Sequence, residues 1–160
     1  ALRSRFRQQV KPGVRPLNGE SRMHPSASMP VSQRIVQVCL FLVAAIAMFG
    51  GALQMYLGQP DRAPRLDNVH RFMAGVYFST GLINLWAAVT IRRQGTLIFL
   101  LALGVFLAGI GRLVSISQVG LPEPAPVWLG YLIPELLLPV IITVAQLATN
   151  RRASQAAAAA

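Results

Sequence analysis

Four long apolar blocks, separated by short polar segments, dominate the sequence from residue 35 onward. Each block holds about twenty residues, and a helix that rises about 1.5 Å per residue would then cross the ~30 Å hydrocarbon core of a bilayer. The blocks are continuously apolar and lack the strict alternation of a half-buried strand. The pattern predicts an all-α integral membrane protein with four transmembrane helices, at about 35–57, 69–91, 96–117 and 127–148.

The polar segments outside these blocks divide the chain into three parts. We expect an N-terminal arm at 1–34, a four-helix transmembrane domain at 35–150 and a C-terminal tail at 151–160. The arm is basic and contains prolines that interrupt any long helix. Such an arm is either a solvated tail or, if it becomes ordered, a segment that needs a surface to lie on. The residues expected to dock it on a partner are Arg3, Arg5, Arg7, Lys11 and Arg15.

The charge distribution predicts the orientation of the chain. The sequence has 15 Lys and Arg residues against 5 Asp and Glu. Most of the basic residues fall in the arm, in the Arg92–Arg93 turn and after residue 150. The positive-inside rule then places both termini in the cytoplasm or its equivalent, in an antiparallel bundle. This rule explains the basic balance without a nucleic-acid partner. The short turn at Arg92–Gly95 also predicts that the second and third helices are neighbours.

Apart from Arg71, at the start of the second block, two charged residues lie inside apolar blocks. Arg112 is in the third block, and a guanidinium at the centre of a span costs about 2.5–3.5 kcal/mol on insertion scales. Glu135, the only acidic residue inside another apolar block, is the expected partner, since the two lie roughly 8 and 12 Å below the same membrane surface. With nearby polar residues they predict one intramembrane polar network: Asp67, Arg71, Arg112, Ser115 and Glu135. This network either pins the helices together or forms a site for a lipid headgroup or a proton path.

Small residues form a stripe on the third helix. Gly104, Ala108 and Gly111 follow the i, i+4, i+7 spacing that places them on one face. Small residues let neighbouring helices approach closely in a membrane. We therefore expect these three residues to make a helix-packing contact.

The sequence offers little for cofactor or catalytic chemistry. His70 is the one candidate ligand for a haem or chlorophyll metal, although a lone histidine at a helix start is more often an interfacial hydrogen-bonding residue. Because His24 lies in the arm and Cys39 is the only cysteine, we expect no metal site and no cofactor. No nucleophile–base pair and no glycine-rich phosphate loop is present, so we expect neither an enzyme nor a small-molecule substrate.

Three groups of residues resemble the motifs of a known family, with matching order and spacing. They are Leu66-Asp67 with Arg71-Phe72 and Gly75; Gly109 and Gly111-Arg112-Leu113 with Ser115, Gly120 and Pro122; and Glu135-Leu136-Leu137 with Pro139. Over about residues 35–150 the chain resembles the bacterial four-helix membrane family called domain of unknown function 4345. The resemblance implies a fold and a location in a bacterial inner membrane, cytoplasmic or intracytoplasmic, but no activity. It also suggests that Arg71, Arg112 and Glu135 belong to one shared feature.

Two functional hypotheses follow. The first is a non-catalytic accessory subunit of a larger bacterial membrane complex, with an energy-converting complex, photosynthetic or respiratory, as one candidate. Its partners would be other integral membrane subunits and lipids, and its basic arm would dock on one of them. The alternative is a stand-alone small carrier or headgroup-binding protein that uses the Arg112–Glu135 layer.

Overall fold

The computed structural model describes residues 28–159, and this part of the chain folds into helices alone. A 3-10 turn, Ile91–Arg93, precedes the third of the four α-helices. The α-helices in chain order are α1 (Val31–Leu57), α2 (Pro64–Val89), α3 (Thr96–Val119) and α4 (Ala125–Ala158). The first helix begins directly after Pro30, and the last one continues to Ala158, past the predicted end of its apolar block.

Each of the four helices is long and apolar enough to cross a membrane. The all-helical fold with four membrane-length helices is therefore confirmed. Large apolar side chains point outward along their lengths, among them Phe49, Phe72 and Leu107. Exposed apolar side chains along four long helices are what a hydrocarbon environment requires, since lipid takes the place of water around them.

Helix α1 lies at the centre of the packing, against both α2 and α4, and α3 packs mainly on α4. The expectation that the second and third helices are neighbours is wrong, because α2 and α3 scarcely touch. The reason lies in their connection. Ile91 is buried in the apolar core, and its carbonyl accepts a hydrogen bond from Gln33 Nε2 at 3.4 Å. The connection thus packs against the start of α1, and α3 finds its main contact on α4.

Glycines set the close approach of α1 and α2. A Cβ at Gly51 would lie 2.7 Å from the backbone nitrogen of Phe78, and one at Gly81 would lie 2.9 Å from the backbone nitrogen of Met48. Both positions therefore need a residue without a side chain. The start of α1 is joined to the end of α2 by Gln37 Nε2, which donates to the Ala88 carbonyl at 2.9 Å.

The start of α1 is also joined to the end of α4. Ser32 Oγ lies 2.7 Å from Thr149 Oγ1. Below this hydrogen bond the apolar core contains Val36, Leu40 and Ile142, each almost fully buried. The core of this half of the molecule therefore consists largely of aliphatic side chains. The ion pair between Arg112 and Glu135 lies in the other half.

Candidate functional site: the Arg112 cluster

A single ion pair joins α3 to α4. Arg112 Nε donates to Glu135 Oε2 at 2.7 Å. The Glu135 side chain is only 6% exposed, whereas that of Arg112 is 27% exposed. The structure thus brings together the two charged residues that the sequence singled out, with the carboxylate buried and the guanidinium reaching towards the surface.

Two aromatic rings of α4 flank the guanidinium. The Arg112 guanidinium carbon lies 5.8 Å from the centroid of the Trp128 ring and 5.5 Å from that of Tyr131. Both rings are on the same face of α4 as Glu135, at helical spacing. A cation near an aromatic face is stabilised by about 0.5–2 kcal/mol, more when it is desolvated. Arg112 is therefore held by a carboxylate and by two rings from one helix.

Helices α1 and α2 complete the enclosure. Tyr77 of α2 interacts electrostatically with Glu135, Arg112 and Tyr131. A Cβ at Gly50 of α1 would lie 3.2 Å from the Tyr77 ring and 3.6 Å from the Tyr131 ring. Gly50 thus provides the space in which the two tyrosines meet. We call Tyr77, Arg112, Trp128, Tyr131 and Glu135 the Arg112 cluster.

The local backbone favours this position for Glu135. A Cβ at Gly109 of α3 would lie 3.3 Å from Glu135 Cβ and 2.8 Å from Leu136 Cδ2, so the glycine lets α4 approach α3 at this depth. Pro134 and Pro139 lie inside α4 on either side of the carboxylate. Proline lacks the N–H that would bond the carbonyl four residues earlier, so Pro139 removes the helical partner of the Glu135 carbonyl.

The cluster leaves some hydrogen-bonding capacity unused within residues 28–159. Glu135 Oε1 is buried without a hydrogen-bond partner. Arg112 donates only through Nε there, although a guanidinium carries five N–H donors. A small cavity beside the guanidinium is lined by Arg112, Ser115, Ile116, Pro122 and Trp128. The arrangement can therefore hold a guanidinium rigidly and still offer its remaining donors outward.

The remaining members of the expected polar network lie elsewhere. Arg71 Nε donates to Asp67 Oδ2 at 2.9 Å, and Arg71 also donates to the carbonyl of Met55 at the end of α1. Asp67 accepts a further hydrogen bond from the backbone N–H of Gln59. Within the described chain neither residue bonds to Arg112 or Glu135. The expectation of one five-residue network is thus wrong, because the free carbonyls at the end of α1 bind Arg71 locally.

Ser115 and His70 also stand apart from the ion pair. Ser115 is exposed on α3 and lines the cavity beside Arg112, and it makes no hydrogen bond to Glu135. His70 is half-buried near the start of α2. No group of three His, Cys, Asp or Glu side chains that could hold a metal ion occurs within residues 28–159.

The small-residue stripe is open where close packing was expected. A Cβ at Gly104 or Gly111 would meet nothing within 4 Å, and Ala108 between them is exposed. The prediction that this stripe packs is wrong for contacts within residues 28–159, because α3 turns the face with Ala102 and Gly109 towards α4. The arm residues Arg3, Arg5, Arg7, Lys11 and Arg15 lie outside the described residues.

Sequence reasoning overlooked three members of the site. Tyr131 and Trp128 are typical interfacial aromatics, and their spacing before Glu135 on one helical face was the available signal. The adjacent glycines Gly50 and Gly51 are a further signal in the sequence, since glycine lets a neighbouring helix approach closely, but they do not identify the side chain that fills the space. Nothing in the sequence of α2 pointed to Tyr77.

A family model matches most of this chain. The model for Domain of unknown function (DUF4345) matches residues 33–146, which is more than half of the chain. This chain belongs to the DUF4345 family. The matched range contains the whole Arg112 cluster of this DUF4345 protein and the stripe on α3. No curated protein and no solved structure matches the chain, so the family membership supports the fold without adding an activity.

Proposed function

We propose that this DUF4345 protein is a non-catalytic accessory subunit of a larger membrane complex, with the open face of α3 as its contact surface. The observation that supports this proposal is the stripe of Gly104, Ala108 and Gly111, which lies exposed on the least buried of the four helices. A stripe of small residues offers little for lipid chains to pack against, but it lets a second helix approach closely.

The Arg112 cluster fits a structural role in such a subunit. Its charges form a neutral pair that crosses from α3 to α4, with further contacts to residues of α1 and α2. Breaking a buried pair by removing one partner is strongly destabilising, so the pair favours one arrangement of the helices. It would thereby hold α3 in a fixed position with its stripe outward.

The proposal includes an antiparallel four-helix bundle in a bacterial inner membrane, with both termini in the cytoplasm. Hydrogen bonds from the start of α1 to the end of α2 and to the end of α4 support the antiparallel arrangement. The basic residues at Arg92–Arg93 and Arg151–Arg152 support the orientation. An energy-converting complex, photosynthetic or respiratory, is the candidate host.

Native mass spectrometry of the protein extracted in mild detergent tests the proposal. We expect the wild-type protein in a stable large assembly, and we expect Gly104→Leu to remain folded but to leave that assembly. Gly130→Leu is the matched control, since a Cβ at Gly130 on α4 also meets nothing within 4 Å. Wild-type protein found only as a free monomer, or equal loss of assembly in both variants, would refute the contact role of α3.

The alternative function, a stand-alone carrier or headgroup-binding protein, retains one supporting observation. The guanidinium of Arg112 borders a cavity instead of being fully enclosed. A free monomer that binds lipid in the same experiment would favour this alternative over the subunit role.

A further inference from the structure

The cavity beside Arg112 has donors on its walls and lies between the guanidinium and the connection from α3 to α4. Ser115 and Ile116 line it about one helical turn nearer the end of α3 than Arg112, and Pro122 lines it from the connection between α3 and α4. Arg112 lies seven residues before Val119, the last residue of α3, which is about 10 Å along a helix. The cavity thus extends from the guanidinium towards the level at which lipid headgroups lie.

The donors in this cavity are not used elsewhere in the described chain. Glu135 takes the Nε–H of Arg112, which leaves the two terminal amino groups and their four N–H bonds. Ser115 Oγ makes no hydrogen bond within residues 28–159 either. Ser117, two residues further on the same helix, donates instead to the Val114 carbonyl at 2.7 Å.

The walls keep this arrangement rigid. The Trp128 indole is fixed by its Nε1–H, which donates to the Glu123 carbonyl at 3.4 Å, and its ring flanks the guanidinium. The Glu123 carboxylate itself accepts a hydrogen bond from the Ala125 backbone N–H at 3.1 Å. Within residues 28–159 the Glu123 carboxylate makes no ion pair with Arg112, whose carboxylate partner there is Glu135.

We infer that this cavity binds the oxyanion of a phosphate group, which accepts hydrogen bonds from the terminal amino groups of Arg112 and from Ser115. The cavity measures about 90 Å³, and a water molecule in the liquid occupies about 30 Å³, so there is room for one tetrahedral oxyanion. Planar guanidinium groups bind phosphate oxygens in pairs. Because Glu135 makes the ion pair neutral overall, recognition depends on these directed donors more than on net charge.

The phosphate could belong to a phospholipid headgroup or be free inorganic phosphate, and a fluorescence titration separates the two. The chain has 2 tryptophans, so Trp86→Phe leaves Trp128, in the cavity wall, as the only indole. The purified Trp86→Phe protein in dodecyl maltoside is titrated with inorganic phosphate, with dihexanoyl phosphatidylglycerol and with dihexanoylglycerol, which lacks the phosphate.

We expect a saturable change in Trp128 emission with a phosphate-bearing probe and none with dihexanoylglycerol. A response to inorganic phosphate assigns the site to free phosphate, and a response confined to phosphatidylglycerol assigns it to a headgroup. Ser115→Ala should weaken binding about three- to tenfold, as the loss of one hydrogen bond does. Arg112→Lys should weaken it at least about tenfold, because an ammonium lacks the planar pair of donors.

Ser117→Ala is the matched control and should bind like the parent, and thermal unfolding should show that both serine variants remain folded. No saturable response to either phosphate probe would overturn the inference. So would an equal response to dihexanoylglycerol, or equal affinities for the two serine variants. The titration uses the isolated chain, so its failure would leave the subunit role of α3 untouched.

Discussion

Removing either partner of the Arg112–Glu135 pair should destabilise the protein, and by unequal amounts. Arg112→Leu leaves a carboxylate that is 6% exposed with neither oxygen bonded, and an unpaired buried charge costs about 3–5 kcal/mol. Glu135→Leu leaves a guanidinium that is 27% exposed. That guanidinium can extend towards the interface, so we expect a smaller cost of about 1–3 kcal/mol.

The double variant should recover most of the lost stability. Replacing both members of a buried ion pair by apolar residues is often close to neutral. The two rings that flank Arg112 lose their cation, at about 0.5–1 kcal/mol each, so the double variant should unfold about 1–2 kcal/mol more easily than the wild type. A thermodynamic cycle then gives a coupling energy of about 2 kcal/mol or more in favour of the pair.

The assay is unfolding in mixed micelles, in which sodium dodecyl sulfate is titrated into a mild detergent and helicity is followed by circular dichroism. Asp67→Asn is the control, because it alters an ion pair whose side chains are 42% and 25% exposed. Exposed ion pairs contribute little to stability, so this variant should unfold nearly like the wild type. A loss in the double variant equal to the sum of the two single losses, and hence no coupling energy, would refute the pairing. Equal losses in the two single variants would refute the argument from burial.

Three further outcomes are expected. Gly51→Ala should lower the free energy of unfolding by about 1–3 kcal/mol, because the added methyl meets backbone atoms of α2. Gly111→Ala should raise the free energy of unfolding of the isolated chain by about 0.5–1 kcal/mol, because alanine has the higher helix propensity. The same unfolding assay checks both variants, and a Gly51→Ala protein more stable than the Gly111→Ala protein would contradict this expectation. A fluorescent reporter fused after Arg152 should be active in the cytoplasm, and periplasmic activity would exclude the proposed orientation. Deletion of residues 1–28 should leave the helices folded and reduce co-purification with the complex; unchanged recovery would remove the arm as a docking element.

The ion pair could be predicted because charge inside an apolar block has few possible partners. Arg112 and Glu135 each stand alone in a block, and similar depth in the membrane was enough to match them. Arg71 could not be assigned in the same way, since its acceptors are backbone carbonyls at the end of α1. Every helix end offers such carbonyls, so the sequence carries no signal for them.

The aromatic side of the cluster could not be predicted for a different reason. Tyr77 and Tyr131 meet where Gly50 of a third helix leaves room. A contact among three helices depends on the rotation of each about its axis. In a membrane helix that is apolar on all sides, periodicity in the sequence does not reveal this rotation.

The glycines show how the rotation of each helix decides which of them pack within the described chain and which stay open. Gly51, Gly81 and Gly109 lie where neighbouring atoms leave no room for a side chain. These three glycines therefore serve the packing of helices within the described chain. Gly104 and Gly111 have the same chemistry and open space around them. Glycine costs helix stability relative to alanine, and no packing contact within residues 28–159 offsets this cost at those two positions. A contact with something other than these described residues would account for that cost, and this is the reason for placing the proposed partner on α3.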